Sequence, residues 1–199
     1  MVLRLFARQL ARPMGPLGGF IRRDMNRRNA AMNAYTVERL DLRLTDRVLE
    51  IGFGGGVALP RLISAAASVV GVDPSPDVIR AAILQYGTTE QLEFRRGEVE
   101  ALPCAPGEFN KVCTVNTIYF WRALDAGFSQ IHRALAEGGR VAVGFLPRAG
   151  MQPMNMPADI FTLRDPDDVV AAMLQAGFRD VRVERPQPST AWNVIVGTR

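Results

Sequence analysis

Histidine, lysine and cysteine are almost missing from this chain. Its 199 residues include one histidine, His132, one lysine, Lys111, and two cysteines, Cys104 and Cys113. A lone histidine excludes the usual His-based metal site, and no metal ligand set is expected. Two cysteines form neither a disulfide framework nor a metal cluster. Cys113 falls in an apolar run and reads as a small packed hydrophobe, while Cys104 falls in a loop and reads as incidental. No apolar run approaches the length of a bilayer crossing, so no transmembrane helix is expected. The amino terminus has no long apolar core of the secretory kind, because arginine recurs there every four residues, so export is not expected. These absences together point to a reducing cytoplasm.

What remains has an ordinary globular balance, with 48% apolar and 22% charged residues, enough for one domain with a sizeable core. The net charge of +4 is unevenly placed. Residues 1–30 hold seven arginines (Arg4, Arg8, Arg12, Arg22, Arg23, Arg27 and Arg28) against Asp24 alone, and the rest of the chain is slightly acidic. Residues 2–11 read as a helix with Arg4, Arg8 and Arg12 on one face and Leu3, Phe6 and Leu10 on another. That face is open to three readings: a solvated surface, a weak peripheral contact with an anionic membrane through residues 2–12, or a site for an acidic or nucleic-acid partner. Pro13 to Gly19 breaks the pattern. A second helix is expected from Phe20 to Leu40, carrying Asn26, Asn29, Asn33 and Tyr35. The expected division is a basic helical arm or lid, 1–40, on a domain formed by 41–199.

Strand and helix patterns then alternate. Strands are expected at Arg47–Phe53, Ser68–Asp73, Leu92–Gly97, Lys111–Asn116, Arg140–Leu146, Val181–Glu184 and Trp192–Gly197. Helices are expected at Val57–Ala67, Pro76–Tyr86, from Leu124 to a stop at Gly138-Gly139, and at Asp167–Ala176. This alternation predicts an α/β three-layer sandwich with a mostly parallel seven-stranded sheet and right-handed crossovers. The last two strands are close enough to form a hairpin, so the final strand is expected to be antiparallel.

The chain is organised around Val48-Leu49-Glu50-Ile51-Gly52-Phe53-Gly54-Gly55-Gly56. A buried strand ends there in four glycines within five residues. Such a turn between strand and helix is where open α/β sheets hold nucleotide-like ligands. The dinucleotide fingerprint requires glycine or alanine at position 57; the chain has Val57, and it has an acid two residues before the first glycine.

The pattern Glu50-x-Gly52-x-Gly54-x-Gly56 resembles the first motif of class I S-adenosylmethionine-dependent methyltransferases, whose sheet is Rossmann-like. Three further segments match in order. Asp73, in Val70-Gly71-Val72-Asp73-Pro74-Ser75, resembles the acid that accepts the two ribose hydroxyls. Gly97-Glu98-Val99-Glu100-Ala101-Leu102-Pro103 resembles the segment whose acid contacts the adenine amino group, with Glu98 in place of the usual Asp. Leu135 to Val143 resembles the run before the fifth strand, with Glu137 where proline is common. The resemblance covers roughly residues 35–199, and small-molecule members of the methyltransferase type 11 kind are the most similar. It implies S-adenosyl-L-methionine as cofactor, bound by Glu50, Gly52, Gly54, Gly56, Asp73, Pro74, Glu98, Val99 and Asn116. Asp73 suits the role because its two oxygens match two adjacent hydroxyl donors.

The acceptor side is expected at Asn116-Thr117-Ile118-Tyr119-Phe120-Trp121, after the fourth strand. Asn116 and Tyr119 are the catalytic candidates, and Tyr35, Tyr119 and Trp121 the candidates for substrate contact. Core or lid packing is an equal reading of Tyr119, Phe120 and Trp121. Thr117 and Ile118 stand where amino-methylating nucleic-acid enzymes carry two prolines, so a nucleic-acid acceptor is not expected. His132 reads as structural, since a lone histidine has no visible partner. The expected function is methyl transfer to the O, N or S atom of a small, largely apolar molecule. The alternatives are a phospholipid headgroup as acceptor, as in phospholipid N-methyltransferases, or cofactor binding without turnover.

Overall fold

The computed structural model describes Arg4, Ala7 and residues 29–199. Residues 29–38 are helical (α1); the rest of the helix expected from Phe20, and most of the one expected at 2–11, lie outside the described residues. The order after α1 is β1 (Arg47–Ile51), α2 (Leu59–Ala65), β2 (Ser68–Asp73), α3 (Pro76–Tyr86), β3 (Leu92–Arg96), β4 (Phe109–Val115), α4 (Leu124–Ala134), β5 (Leu135–Phe145), a short α5 (Arg148–Met151), α6 (Pro166–Gln175), β6 (Arg179–Glu184) and β7 (Asn193–Thr198).

The seven strands lie in the order β3-β2-β1-β4-β5-β7-β6. Six run in one direction, and β7 runs antiparallel between β5 and β6. The chain reverses direction across the sheet between β3 and β4. The carboxyl ends of β1 and β4 are therefore neighbours, which is where open α/β sheets form a crevice.

Strand alternation divides the core between the two faces. On β1, Leu49 and Ile51 join Phe109, Phe128, Ile131 and Phe178 under α4 and α6. Val48 joins Leu59, Leu62, Val78 and Cys113 under α2 and α3. Glu50 shares the face of Val48, so the alternation that packs the core also buries this carboxylate.

Two boundaries differ from expectation. Helix α2 begins at Leu59 rather than at position 57, because the glycine turn runs on and Pro60 sits in the first helical turn. Gly138-Gly139 does not end α4. That helix stops at Ala134, and Leu135 already pairs with Phe109. The register then shifts, so that Lys111 faces Arg140; the glycine pair, with Gly138 at φ 70°, accommodates the extra residues as a bulge within β5.

The single lysine has a structural task. Lys111 Nζ donates to the Leu40 carbonyl at 2.7 Å and the Asp41 carbonyl at 3.3 Å, just after α1. The nearby buried Asp46 accepts from the Arg43 amide and from Asn110 Nδ2, both at 2.8 Å. Helix α1 is thereby tied to β4 at its carboxyl end.

Candidate active site

A cavity of about 300 Å³ opens at the carboxyl ends of β1, β2 and β4. Of the residues expected to meet the cofactor, Glu50, Gly52, Gly54, Asp73, Pro74, Glu98, Val99 and Asn116 line it, and so does Trp121 on the acceptor side. Four elements distant in sequence are thus brought to one space.

The glycine turn is shaped by its surroundings. Gly52 has φ 68°, in the left-handed region that favours glycine, and its amide donates to the Val72 carbonyl at 2.7 Å. A Cβ at this position would also collide with the Thr117 methyl group. Asp73 ties the turn to β2: Oδ2 accepts from the Gly54 amide at 3.2 Å and Oδ1 from the Ser75 amide at 2.9 Å.

Glu50 is 5% exposed. Its Oε2 is buried with no hydrogen-bond partner among the described residues. Burial, and then the Asp73 carboxylate, push the Glu50 carboxyl up to about 8. An uncompensated buried acceptor of this kind is costly, and a cationic ligand group in the cavity removes the cost.

At the opposite edge, Arg122 Nη2 donates to Glu98 Oε2 at 3.1 Å, and the Arg122 amide donates to Glu100 Oε1 at 2.7 Å. This pair holds the longer Glu98 side chain at the cavity rim. Asn116 stands at φ 57°, a strained angle that asparagine tolerates better than most residues, and its amide donates to the Gly144 carbonyl at 2.8 Å.

Three of the candidate residues do not line the cavity. Gly56 turns away, and its carbonyl accepts from the Tyr86 hydroxyl at 3.3 Å. Tyr35 packs edge-on against Trp192 at 5.6 Å, under the Arg39 guanidinium. It faces away because it lies two residues beyond Asn33, which places it on another side of α1. Tyr119 is 3% exposed and packs against Phe120 and Phe161. Its hydroxyl accepts from the Leu146 amide at 2.7 Å and lies 3.1 Å from Asn116 Oδ1. Burial raises this phenol above its usual range, so it is not a ready base.

Of the other lining residues, Phe120 lies in the expected acceptor edge and Asn29 and Asn33 in the expected lid helix, whereas Arg122 and Ile160 carried no expectation. Phe120, Arg122 and Ile160 complete the far wall, and Asn29 and Asn33 descend from α1. The Asn29–Asn33 spacing is a sequence signal, since i and i+4 share a helix face. Ile160, in the link between β5 and α6, carries none.

The amino-terminal arm touches this link. Arg4 pairs with Asp159 at 3.1 Å, and Ala7 is fully buried in the core. At these two positions the arm contacts the domain itself; the remainder of the arginine face lies outside the described residues. Among the described residues, no helix is long and apolar enough to cross a membrane. His132 packs edge-on against Phe178 at 5.2 Å and does not line the cavity.

Comparison with known proteins bears on the family and the fold. Residues 48–139 match the family model described as a methyltransferase domain. An uncharacterised methyltransferase of Bacillus subtilis is 27% identical over 171 residues, covering 84% of this chain and 89% of that protein. Among solved structures, a Haloferax volcanii chain from a complex with the Trm112 methyltransferase activator superposes with a TM-score of 0.74 at 18% identity, covering 89% of this chain and 92% of that one. A Haemonchus contortus phosphoethanolamine N-methyltransferase, solved with S-adenosylhomocysteine, gives a TM-score of 0.71 at 17% identity, over 85% of this chain and 52% of that one. These two likenesses concern the fold. With the matched methyltransferase domain and the curated relative, they support one reading: an S-adenosylmethionine-dependent methyltransferase with the class I fold.

Proposed function

We propose that this methyltransferase transfers its methyl group to a small, largely apolar acceptor seated against Phe120, Trp121 and Ile160. One observation carries the reading: the cavity lined by the buried acids Glu50 and Asp73 is also lined by that apolar wall. The bound cofactor supplies a methyl group on a positively charged sulfur, so the protein's task is alignment and exclusion of water.

Each end of the cavity then has its work. Glu50 accepts from the methionine ammonium, which satisfies its orphaned Oε2. Gly52 and Gly54 let the main chain approach the methionine part. Asp73, oriented by two backbone amides, takes the ribose hydroxyls. Pro74 and Val99 flank the nucleoside, and Glu98, held by Arg122, meets the adenine amino group. Asn116 stands nearest the acceptor. Helix α1, with Asn29 and Asn33 on its cavity face, acts with the amino-terminal arm as a lid over the domain formed by 41–199.

Calorimetry with S-adenosylhomocysteine, followed by labelled-methyl transfer to a graded panel of small acceptors, tests the reading. The expected result is binding of the cofactor product and turnover that rises with the apolar character of the acceptor. Turnover confined to strongly polar or macromolecular acceptors would overturn it.

A further inference from the structure

One end of the cavity contains a hydrogen-bond arrangement centred on Tyr119 and Asn116. Tyr119 is buried, and its hydroxyl is fixed by the Leu146 amide, which donates to it at 2.7 Å. The hydroxyl has one proton and two acceptors in reach, the Leu146 carbonyl at 3.0 Å and Asn116 Oδ1 at 3.1 Å. In the structure Asn116 Oδ1 is the atom turned toward Tyr119. Its Nδ2 makes no hydrogen bond among the described residues and is not buried, while Asn116 lines the cavity. The carboxamide thus presents a donor to whatever occupies that space.

We propose that Asn116, positioned by Tyr119, selects an oxygen nucleophile over an amine. The inference rests on the reading that cofactor and acceptor share this cavity. A neutral amine has one lone pair, which must point at the methyl carbon, and its N–H groups call for acceptors. A donor beside it has nothing to bond. An ionised oxygen attacks with one lone pair and keeps others to accept from Asn116 Nδ2. The neighbouring lining side chains at this end, Asn29, Asn33, Thr117, Phe120 and Trp121, include no base that titrates near neutrality. The acceptor accordingly enters with its proton already lost to water, as a carboxylate, enolate or phenolate. The oxygen lone pair forms the new O–CH₃ bond, the C–S bond breaks, and its electron pair returns to sulfur to leave a neutral thioether. No proton moves in the transfer step.

The isosteric change Asn116→Asp exchanges the donor for an acceptor and suits the same backbone, since aspartate also tolerates positive φ. Tyr119→Phe leaves the carboxamide free to rotate. Each protein is first titrated with S-adenosylhomocysteine and then assayed by labelled-methyl transfer to phenol, benzoate, aniline and benzylamine. The expected wild-type result is methylation of phenol or benzoate in preference to both amines. Asn116→Asp lowers the oxygen-to-amine rate ratio by roughly tenfold to a hundredfold, the range set by one charge-assisted hydrogen bond. Tyr119→Phe lowers the same ratio by a smaller factor, through the acceptor KM. A purely structural role for Tyr119 would reduce all four rates together. If the wild-type protein binds S-adenosylhomocysteine yet prefers an amine, or methylates neither oxygen acceptor, the selection is overturned. Failure of S-adenosylhomocysteine to bind overturns the underlying reading instead.

Discussion

The two ends of the cavity are built differently. The proposed donor end uses consecutive strand ends: Glu50 lies one residue before the end of β1, Asp73 closes β2, and Glu98 follows β3. Its geometry comes from the main chain, with Asp73 held by the amides of Gly54 and Ser75. The acceptor end gathers α1, the stretch after β4 and the link before α6, which meet only in space. Its geometry comes from side-chain packing, as in Phe120 against Phe161 at 4.7 Å. A site made of backbone and buried charge tolerates little change. A site made of packed side chains can be reshaped one residue at a time while the donor end stays intact.

That contrast is tested most severely at Asp73. Asp73→Ala removes the acceptor for two loop amides and for the ribose, and roughly a hundredfold or greater loss of S-adenosylhomocysteine affinity is expected by calorimetry. A loss below about tenfold would show that the glycine turn holds the cofactor without it.

Glu50 gives the next effect, and its sign depends on pH. Its folded value, about 8, lies above the usual 4.5. The stability linked to this group is complete below pH 4.5 and is lost as pH rises through about 8, because the unfolded carboxyl ionises more easily than the buried one. Glu50→Gln in the ligand-free protein should remove this slope and raise stability at pH 9 by on the order of 1–3 kcal/mol. The same variant should weaken S-adenosylhomocysteine binding. Thermal unfolding at several pH values checks the first outcome, and an unchanged slope would refute it.

A change outside the cavity bears on the acceptor end alone. A Cβ at Gly144 of β5 would meet Thr36 Oγ1 and, at 3.3 Å, Met32 Cγ, both on α1. Gly144→Ala should push α1 outward, cost about 1–3 kcal/mol of stability and raise the acceptor KM more than the Kd for S-adenosylhomocysteine. Equal changes in both constants would mean that α1 serves the two ends alike. The smallest effect is expected at the rim: Ile160→Ala should raise the KM for an apolar acceptor by about tenfold or less, the worth of a partly buried side chain, and leave cofactor affinity unchanged.

Legibility in the sequence follows the same division. That Glu50, Asp73 and Glu98 line one cavity could be read because strand ends and glycine turns are local features with fixed spacing. Tyr35 was misplaced because its neighbour Asn33 faces the cavity, and two residues along a helix change the face. Tyr119 was read as either substrate contact or core packing. It is buried, and its hydroxyl reaches the site through Asn116. The end of α4 was misread because Gly138-Gly139 suits a helix stop and a strand bulge equally well, and pairing with Phe109 decided between them.

The sequence alone determined what lines the proposed cofactor end: a buried strand, a glycine turn and two acids at neighbouring strand ends, all set by short-range spacing and by the period of the strand. Only the tertiary structure decided the packing of the proposed acceptor end. There α1 descends onto Gly144, Ile160 closes the wall, and the buried Tyr119 aims the amide of Asn116. The physical reason is that these contacts join residues from 29 to 160, and no local pattern encodes which distant side chains will pack together.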